Sequence, residues 1–351
     1  MQTNGKKIFD LVGAEATFTD CPYLVRYLTG FEAEDGFVIS DCRGTTLYTD
    51  HRYIEAAERR LQGTEVSVRL RESGVRISDL LKQYSSVGIA FDETPYTKYK
   101  AFAETGVQLV DSMPAFRQSM IIKNADELAA IEKACNIAED ALLKLLPEIK
   151  EGMSEAEVAA LLEYNMKILG AYSTSFDTIV AFGAHAAVPH HETGTTKLRF
   201  GDEILIDFGC KVNGYCSDIT RTMLFGDNGN NEEFKKAHAA VLTAHELVKE
   251  KLVSGMTGIQ ADAIARDYLT EQGYGKLFTH SLGHGIGLNV HEQPAVNIRG
   301  TNVLVDGMVF SDEPGVYAAG EFGVRIEDTI TLKDGKVHSF MYKTDRNLIV
   351  L

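Results

Sequence analysis

The sequence has no tryptophan, no paired cysteine motif, no long apolar run and a shortage of basic residues. The missing tryptophan excludes nothing. The five cysteines, Cys21, Cys42, Cys135, Cys210 and Cys216, are odd in number and scattered. Without a CxxC pair they do not read as a zinc ribbon or a redox site, so reduced, structural thiols are expected. No stretch approaches the roughly 20 apolar residues of a membrane span. The opening MQTNGKKIFDLVGAEA lacks the apolar core and small-residue cleavage site of a secretory signal, so a cytoplasmic protein is expected. Thirty-five basic against 50 acidic residues leave a formal charge of -15, which repels nucleic acid and anionic membrane. What remains is ordinary globular composition, 44% hydrophobic and 24% charged over 351 residues, enough for two domains.

Up to about residue 120, short β-rich runs (GFVIS, TTLYTD, TEVSVRL, SVGIAFD) alternate with amphipathic stretches such as YIEAAERRL. That is the pattern of a small α/β domain, and it carries no constellation of catalytic residues. Beyond Met113-Pro114, Leu128, Ile131, Cys135, Ala138, Leu142 and Leu145 step by three and four along a long helix that opens a second domain. The expected division is 1–120 and 121–351.

The second domain contains itself twice. Gly152-Met153-Ser154 leads a helix whose capping box runs from Ser154 to Glu157 and whose stop is Gly170. Gly255-Met256-Thr257 does the same, with Thr257, Gln260 and Gly273, and both glycine-to-glycine intervals are 18 residues. Each copy then supplies a histidine cluster and two strands. In the first half these are His190 and His191, then ILIDFG and GYCSDITRT; in the second, His284 and His291, then MVFSDE and GVRIEDTI. Equivalent residues lie near 100 apart: His190 and His291, Asp207 and Glu313, Asp218 and Glu327. The expected fold class is α+β, with the catalytic part made of two αβ halves related by a pseudo-twofold axis around a shared cleft.

Alternation along a strand places Asp207 on the face opposite Ile204, Ile206 and Phe208. The Asn213-Gly214 turn signal folds the next strand back so that Asp218 and Thr220 share the face of Asp207. In the second half Val309, Ser311 and Glu313 share one face, and Arg325, Glu327 and Thr329 another. A lone acid on a strand is ordinarily a solvated surface residue; the duplication is what argues otherwise here. Four carboxylates converging in a half-buried cleft repel one another and resist desolvation unless cations neutralise them. Two divalent ions about 3.5 to 4 Å apart are a known device for making hydroxide at neutral pH and clamping an oxyanion.

His284, in the GHGIG run, is the expected nitrogen ligand, its glycines permitting a tight turn. No lysine follows them, which disfavours a phosphate-binding loop. Oxygen-rich ligation with one imidazole suits manganese best, with cobalt or zinc as alternatives. Six of the ten histidines fall in two windows, His185, His190, His191 and His280, His284, His291. His185, His191 and His280 have no equivalent across the repeat and read as packing or supporting residues; His238, His245 and His338 read as structural or solvated.

The segments YLTGF, TDHRYIEAA, SFDTIVAFG, AAVPHH, IDFG with YCSDITRT, GHGIGLNVHEQP, DEPGVY and GVRIEDT cover nearly the whole chain. Together they resemble the pita-bread metallopeptidases, in particular their proline-specific branch of Xaa-Pro aminopeptidases and prolidases. The resemblance implies a pita-bread catalytic domain holding two divalent metal ions on Asp207, Asp218, His284, Glu313 and Glu327, the same five residues. It further implies that His190 and His291 bind the scissile carbonyl or the tetrahedral intermediate, that Arg325 orients the site, and that the N-terminal domain helps form a homodimer and narrows the mouth of the site. Asp312 departs from the pattern, since many relatives carry an apolar residue there, but alternation points it away from the metals. The N-terminal domain begins closer to YLTGF than in many relatives.

The expected activity is that of an aminopeptidase acting on short peptides with proline second, Glu313 moving the proton from water to the leaving nitrogen. The alternative is a prolidase, confined to Xaa-Pro dipeptides. Methionine aminopeptidase shares the five ligands but is disfavoured by the extra 120 residues and by the Arg325 and Glu327 pair. A non-catalytic peptide-binding relative, or the metal-free amidinohydrolase that cleaves creatine, should have substituted ligands, and none is substituted here.

Overall fold

The computed structural model describes residues 3–72 and 74–351; Met1 and Gln2, the start of the segment read for a signal, lie outside them. The chain divides into two compact units, Met1–Met120 and Ile121–Leu351.

In the first unit a six-stranded mixed sheet runs in the order Val66–Leu70, Gly44–Thr49, Phe37–Asp41, Ala16–Thr19, Ser86–Ile89, Gln108–Asp111. Four of these are the runs legible in the sequence. The strand Ala16–Thr19 is new and central, antiparallel to Phe37–Asp41 and parallel to Ser86–Ile89. All four of its residues are buried, so ATFT shows none of the alternation that betrays a half-exposed strand. Phe18, Phe37, Ile39, Val87, Ile89 and Phe102 form the core beneath the sheet.

The second unit opens with the helix Ala125–Leu145, held at its start by reciprocal hydrogen bonds between Asn124 and Glu127. Ile131, Cys135, Ala138, Leu142 and Leu145 are its buried stripe. The two equivalent helices of the repeat are Glu155–Ile168 and Gly258–Glu271, 14 residues each. Both capping boxes form, Ser154 with Glu157 and Thr257 with Gln260. Gly170 and Gly273 follow the helices at φ 106° and 88°, a conformation that a side chain would strain. Each half has its own apolar core, one around Ile131, Leu142, Ile204 and Ile206, the other around Phe234, Val241, Phe310 and Ile330.

The strands that follow differ from the sequence reading in two places. Asn213 and Gly214 do form a turn, at φ 50° and 83°. It closes only a short ribbon, Cys210–Val212 with Tyr215–Cys216. The partner of Glu203–Phe208 is the later strand Ile219–Leu224, which sets Thr220 opposite Asp207. In the second half GVRIEDTI is not one strand. Phe322–Arg325 pairs with Gly315–Ala318, and Asp328–Lys333 pairs with Val309–Asp312. Glu327 stands at the break, where it bridges to Thr220 in the other half.

Threonine hydroxyls close the seam between the halves. Thr222 Oγ1 donates to Arg325 O (2.8 Å) and accepts from Arg325 N (3.1 Å). Thr329 Oγ1 donates to Asp218 O (2.7 Å) and accepts from Asp218 N (3.1 Å). Each hydroxyl serves one backbone residue as both donor and acceptor, so Asp218 is tied to the strand Asp328–Lys333, and the strand Phe322–Arg325 to Ile219–Leu224.

Candidate metal centre

A cavity of about 730 Å³ opens in the second unit, and all five expected ligands line it. Asp207 comes from the middle strand of the first-half sheet, Asp218 from the residue before Ile219–Leu224, and His284 from the strand Gly283–Gly285. Glu313 directly follows Val309–Asp312, and Glu327 occupies the strand break. One ligand atom each of Asp218, His284 and Glu327 lie within 4.8 Å of one another. His284 Nε2 is 3.6 Å from Asp218 Oδ2 and 3.3 Å from Glu313 Oε1. Asp207 joins the group through Arg325, whose Nη2 donates to its Oδ2 at 2.6 Å.

The glycines around His284 act by closeness rather than by turning. A Cβ on Gly283 would fall 2.0 Å from Ser311 O, and one on Gly285 would fall 2.2 Å from Gln293 O. Neither has a positive φ, so the tight turn expected from the sequence is replaced by strands packed too closely for any side chain.

Electrostatics show what these groups require. Burial, then repulsion from Glu327, Asp207 and Glu313, raises the Asp218 pKa far above the usual carboxylate range. Burial, then Glu313 and Asp207, does the same to Glu327. Glu313 is pushed up to about 8, chiefly by burial. His284 is driven down to about 4 by burial and by His291, so its ring is neutral. Its Nδ1 is hydrogen-bonded to Gly285 O at 3.2 Å, and since a carbonyl only accepts, Nδ1 carries the proton. The Nε2 lone pair therefore faces the carboxylate oxygens of Asp218 and Glu313. Asp207 Oδ1 is buried with no hydrogen-bond partner. Lone pairs aimed at lone pairs, and an acid oxygen left unsatisfied, are what divalent cations resolve; the donor set fits them.

The comparisons with known proteins agree with this chemistry. Residues 129–334 match the model of metallopeptidase family M24, and residues 7–119 match the creatinase/prolidase N-terminal domain. The chain belongs to metallopeptidase family M24. It is 36% identical to a protein named Xaa-Pro dipeptidase from Pyrococcus furiosus, over 98% of this chain and 97% of the relative. Among solved structures it is similar to an Xaa-Pro dipeptidase from Bacillus anthracis (TM-score 0.91, 35% identity, covering 99% and 98% of the two chains). It is also similar to an X-Pro aminopeptidase from Thermotoga maritima (TM-score 0.90, 32% identity, covering 98% and 100%). The M24 catalytic domain is of the pita-bread type, and membership makes the chain a metallopeptidase hydrolase that works with divalent metal ions.

The remaining residues expected in this M24 site also reach the cavity. His190 and His291 line it, and the His291 ring centroid lies 4.1 Å from that of His284. Burial and the His190 charge lower the His291 pKa, with Asp207 opposing. Arg325 does more than point beside Glu327. Its Nε donates to Thr220 Oγ1 (3.0 Å), which donates to Glu327 Oε2 (2.6 Å), while Nη1 donates to Tyr317 Oη (2.7 Å). One guanidinium thus holds Asp207 directly and Glu327 through Thr220.

Four further groups support the site, none of them expected in a catalytic or metal-binding role. His280 lines the cavity, with Nε2 2.9 Å from Tyr317 Oη. Burial and then the Arg325 charge press its pKa down to about 3. Its membership of the second histidine window was the available signal. Thr220 was marked only by sharing the face of Asp207, which the observed pairing agrees with, and Tyr317 had no signal. Ser311 completes the set: its hydroxyl donates to Glu313 Oε1 and accepts from His284 N, both at 3.0 Å. Asp312 does stay out of the cavity lining, but it is fully buried beside His245, whose Nδ1 is 3.0 Å away. Against burial, Asp312 and Asp328 raise the His245 pKa to about 9, so this histidine is a buried cation and not a solvated residue.

Proposed function

We propose that this M24 hydrolase cleaves the bond between a first residue and a following proline, with Xaa-Pro dipeptides as its characteristic substrates. The observation that carries hydrolysis is the convergence of Asp207, Asp218, His284, Glu313 and Glu327 on one cavity, with His284 Nε2 facing carboxylate oxygens of Asp218 and Glu313. Proline specificity rests on the names of relatives, and among those whose names specify proline, Xaa-Pro dipeptidases and prolidases outnumber aminopeptidases. The sequence alone favours the aminopeptidase; those names move the leading reading to the dipeptidase.

Two divalent cations held by the five donors, with manganese expected and cobalt or zinc as alternatives, supply a lowered water pKa and a charge to polarise the scissile carbonyl. The chain's own groups do the rest. Glu313 takes the water proton on a carboxylate oxygen and delivers it to the departing proline nitrogen. His190 and His291 donate N–H groups to the carbonyl oxygen as it gains negative charge. Arg325 keeps Asp207 and Glu327 in place. Phe176, Ile179 and Val290 provide apolar wall in the same cavity for the pyrrolidine ring.

A specific observation keeps the aminopeptidase as the second reading. A dipeptidase must accept a substrate carboxylate directly after the proline ring. Among the described residues lining the cavity there is no lysine, and Arg325 is committed to Asp207, Thr220 and Tyr317. That leaves imidazoles to meet the carboxylate. A substrate-length series separates the readings: an Xaa-Pro dipeptide, an Xaa-Pro tripeptide and a Met-Ala peptide, each with manganese, cobalt and zinc. The dipeptidase reading predicts fast turnover of the first alone. Cleavage of the tripeptide at a similar rate makes the protein an aminopeptidase, and cleavage of Met-Ala in preference to both removes proline specificity.

A further inference from the structure

The first half carries a second constellation that the proposed hydrolysis does not use. Glu155 opens the helix Glu155–Ile168, His185 lies in the turn Gly183–Ala187, and His191 follows His190. Glu155 Oε1 is 2.8 Å from His185 Nδ1, and Glu155 Oε2 is 3.0 Å from His191 Nε2. The two imidazole centroids are 4.4 Å apart, and one ligand atom from each of the three residues lies within 4.8 Å of the others.

The carboxylate is fully buried and fixed in orientation. Phe182 N donates to Oε1 (3.1 Å) and Gly194 N to Oε2 (3.0 Å), which leaves one lone pair on each oxygen directed to an imidazole. The capping box itself does not call for a carboxylate here, since the equivalent helix in the second half has the same kind of box with Gly258 where Glu155 would be. In the first half the carboxylate serves two backbone donors and both imidazoles at once.

We propose that Glu155, His185 and His191 bind a single transition-metal ion of the zinc class, separate from the pair expected at the catalytic donors. Two imidazoles with one carboxylate are a donor set that takes zinc and leaves a position open for water. Donors about 2.1 Å from a tetrahedral ion stand about 3.4 Å apart, so the two rings, 2.8 and 3.0 Å from the Glu155 oxygens, need to open by about half an ångström to admit it. The ion takes the place of the two imidazole protons that otherwise bridge to Glu155. His185 provides the way in, since its side chain is 42% exposed. Because His191 is joined to His190, the ion pins the loop that carries a cavity-lining imidazole to the start of a core helix.

The test is a crystal of the chelator-stripped full chain soaked in zinc, with diffraction measured above and below the zinc absorption edge. Elemental analysis after equilibrium dialysis against the same zinc solution accompanies it. The expected result is an anomalous peak between Glu155, His185 and His191, three zinc ions per chain in the parent and two in His185→Ala, a substitution at the exposed member that spares the fold. His185→Ala and Glu155→Gln should also lower the melting temperature gained on adding zinc. The proposal is overturned if the catalytic donors fill with zinc while no peak arises at Glu155, or if parent and His185→Ala bind equal numbers of ions.

Discussion

Replacing Glu313 by glutamine keeps its size and its hydrogen bond from Ser311 but removes both a charge and a proton acceptor. Turnover of an Xaa-Pro dipeptide should fall by at least about two to three orders of magnitude, measured after metal has been restored. Arg325→Lys tests positioning instead. A lysine keeps the charge but loses the fork that reaches Asp207, Thr220 and Tyr317 together. Activity and metal affinity should each fall about 10- to 100-fold, read by rate assays and by titration calorimetry with manganese. The four acids were legible at this scale because the internal repeat pairs them, and His284 because it stands in the GHGIG run. The roles of Thr220, read only as sharing the face of Asp207, and of Tyr317 were not, because they arise from contacts with Arg325, which in the case of Thr220 is 105 residues away. His245, read as structural or solvated, is structural, but nothing near it in sequence shows that Asp312 and Asp328 close around it.

The elements fold from local signals where the hydrogen bonds are local. The boxes at Ser154 and Thr257 lie within four residues each, and both form as read. Ser154→Ala and Thr257→Ala should each cost about 1 kcal/mol in denaturant unfolding, with little change in turnover. Strand ends are another matter. The break at Glu327 depends on the ribbon with Gly315–Ala318 and on the bridge to Thr220, neither of which has a periodicity to read. Gly283 shows how much such pairing demands. Gly283→Ala brings a methyl group to within 2.0 Å of Ser311 O and must push His284 away from Glu313. The expected outcome is a folded protein with weakened metal binding, checked by circular dichroism alongside manganese titration.

For the whole molecule, the pKa shifts give stability a sign. In the metal-free protein Glu313 is raised from 4.5 to about 8, and Asp218 and Glu327 move the same way. The depressed histidines His280 and His284 act the other way below about pH 6.5, where the unfolded chain holds protons that the folded state lacks; above it only the raised groups titrate, so stability declines as pH rises from about 6.5 to about 8. Chelated protein should therefore melt at a lower temperature at pH 8 than at pH 6.5, and manganese should abolish most of the difference; a chelated melting temperature that climbs across that window contradicts the shifts. The two-part organisation was visible in the sequence because the first 120 residues lack the paired chemistry of the rest, whereas the central strand Ala16–Thr19 stayed hidden by its complete burial. The most direct test of the central claim is anomalous diffraction from a crystal grown with manganese. Two peaks enclosed by Asp207, Asp218, His284, Glu313 and Glu327 are predicted; density there that holds no manganese while the protein hydrolyses its substrate would contradict the account.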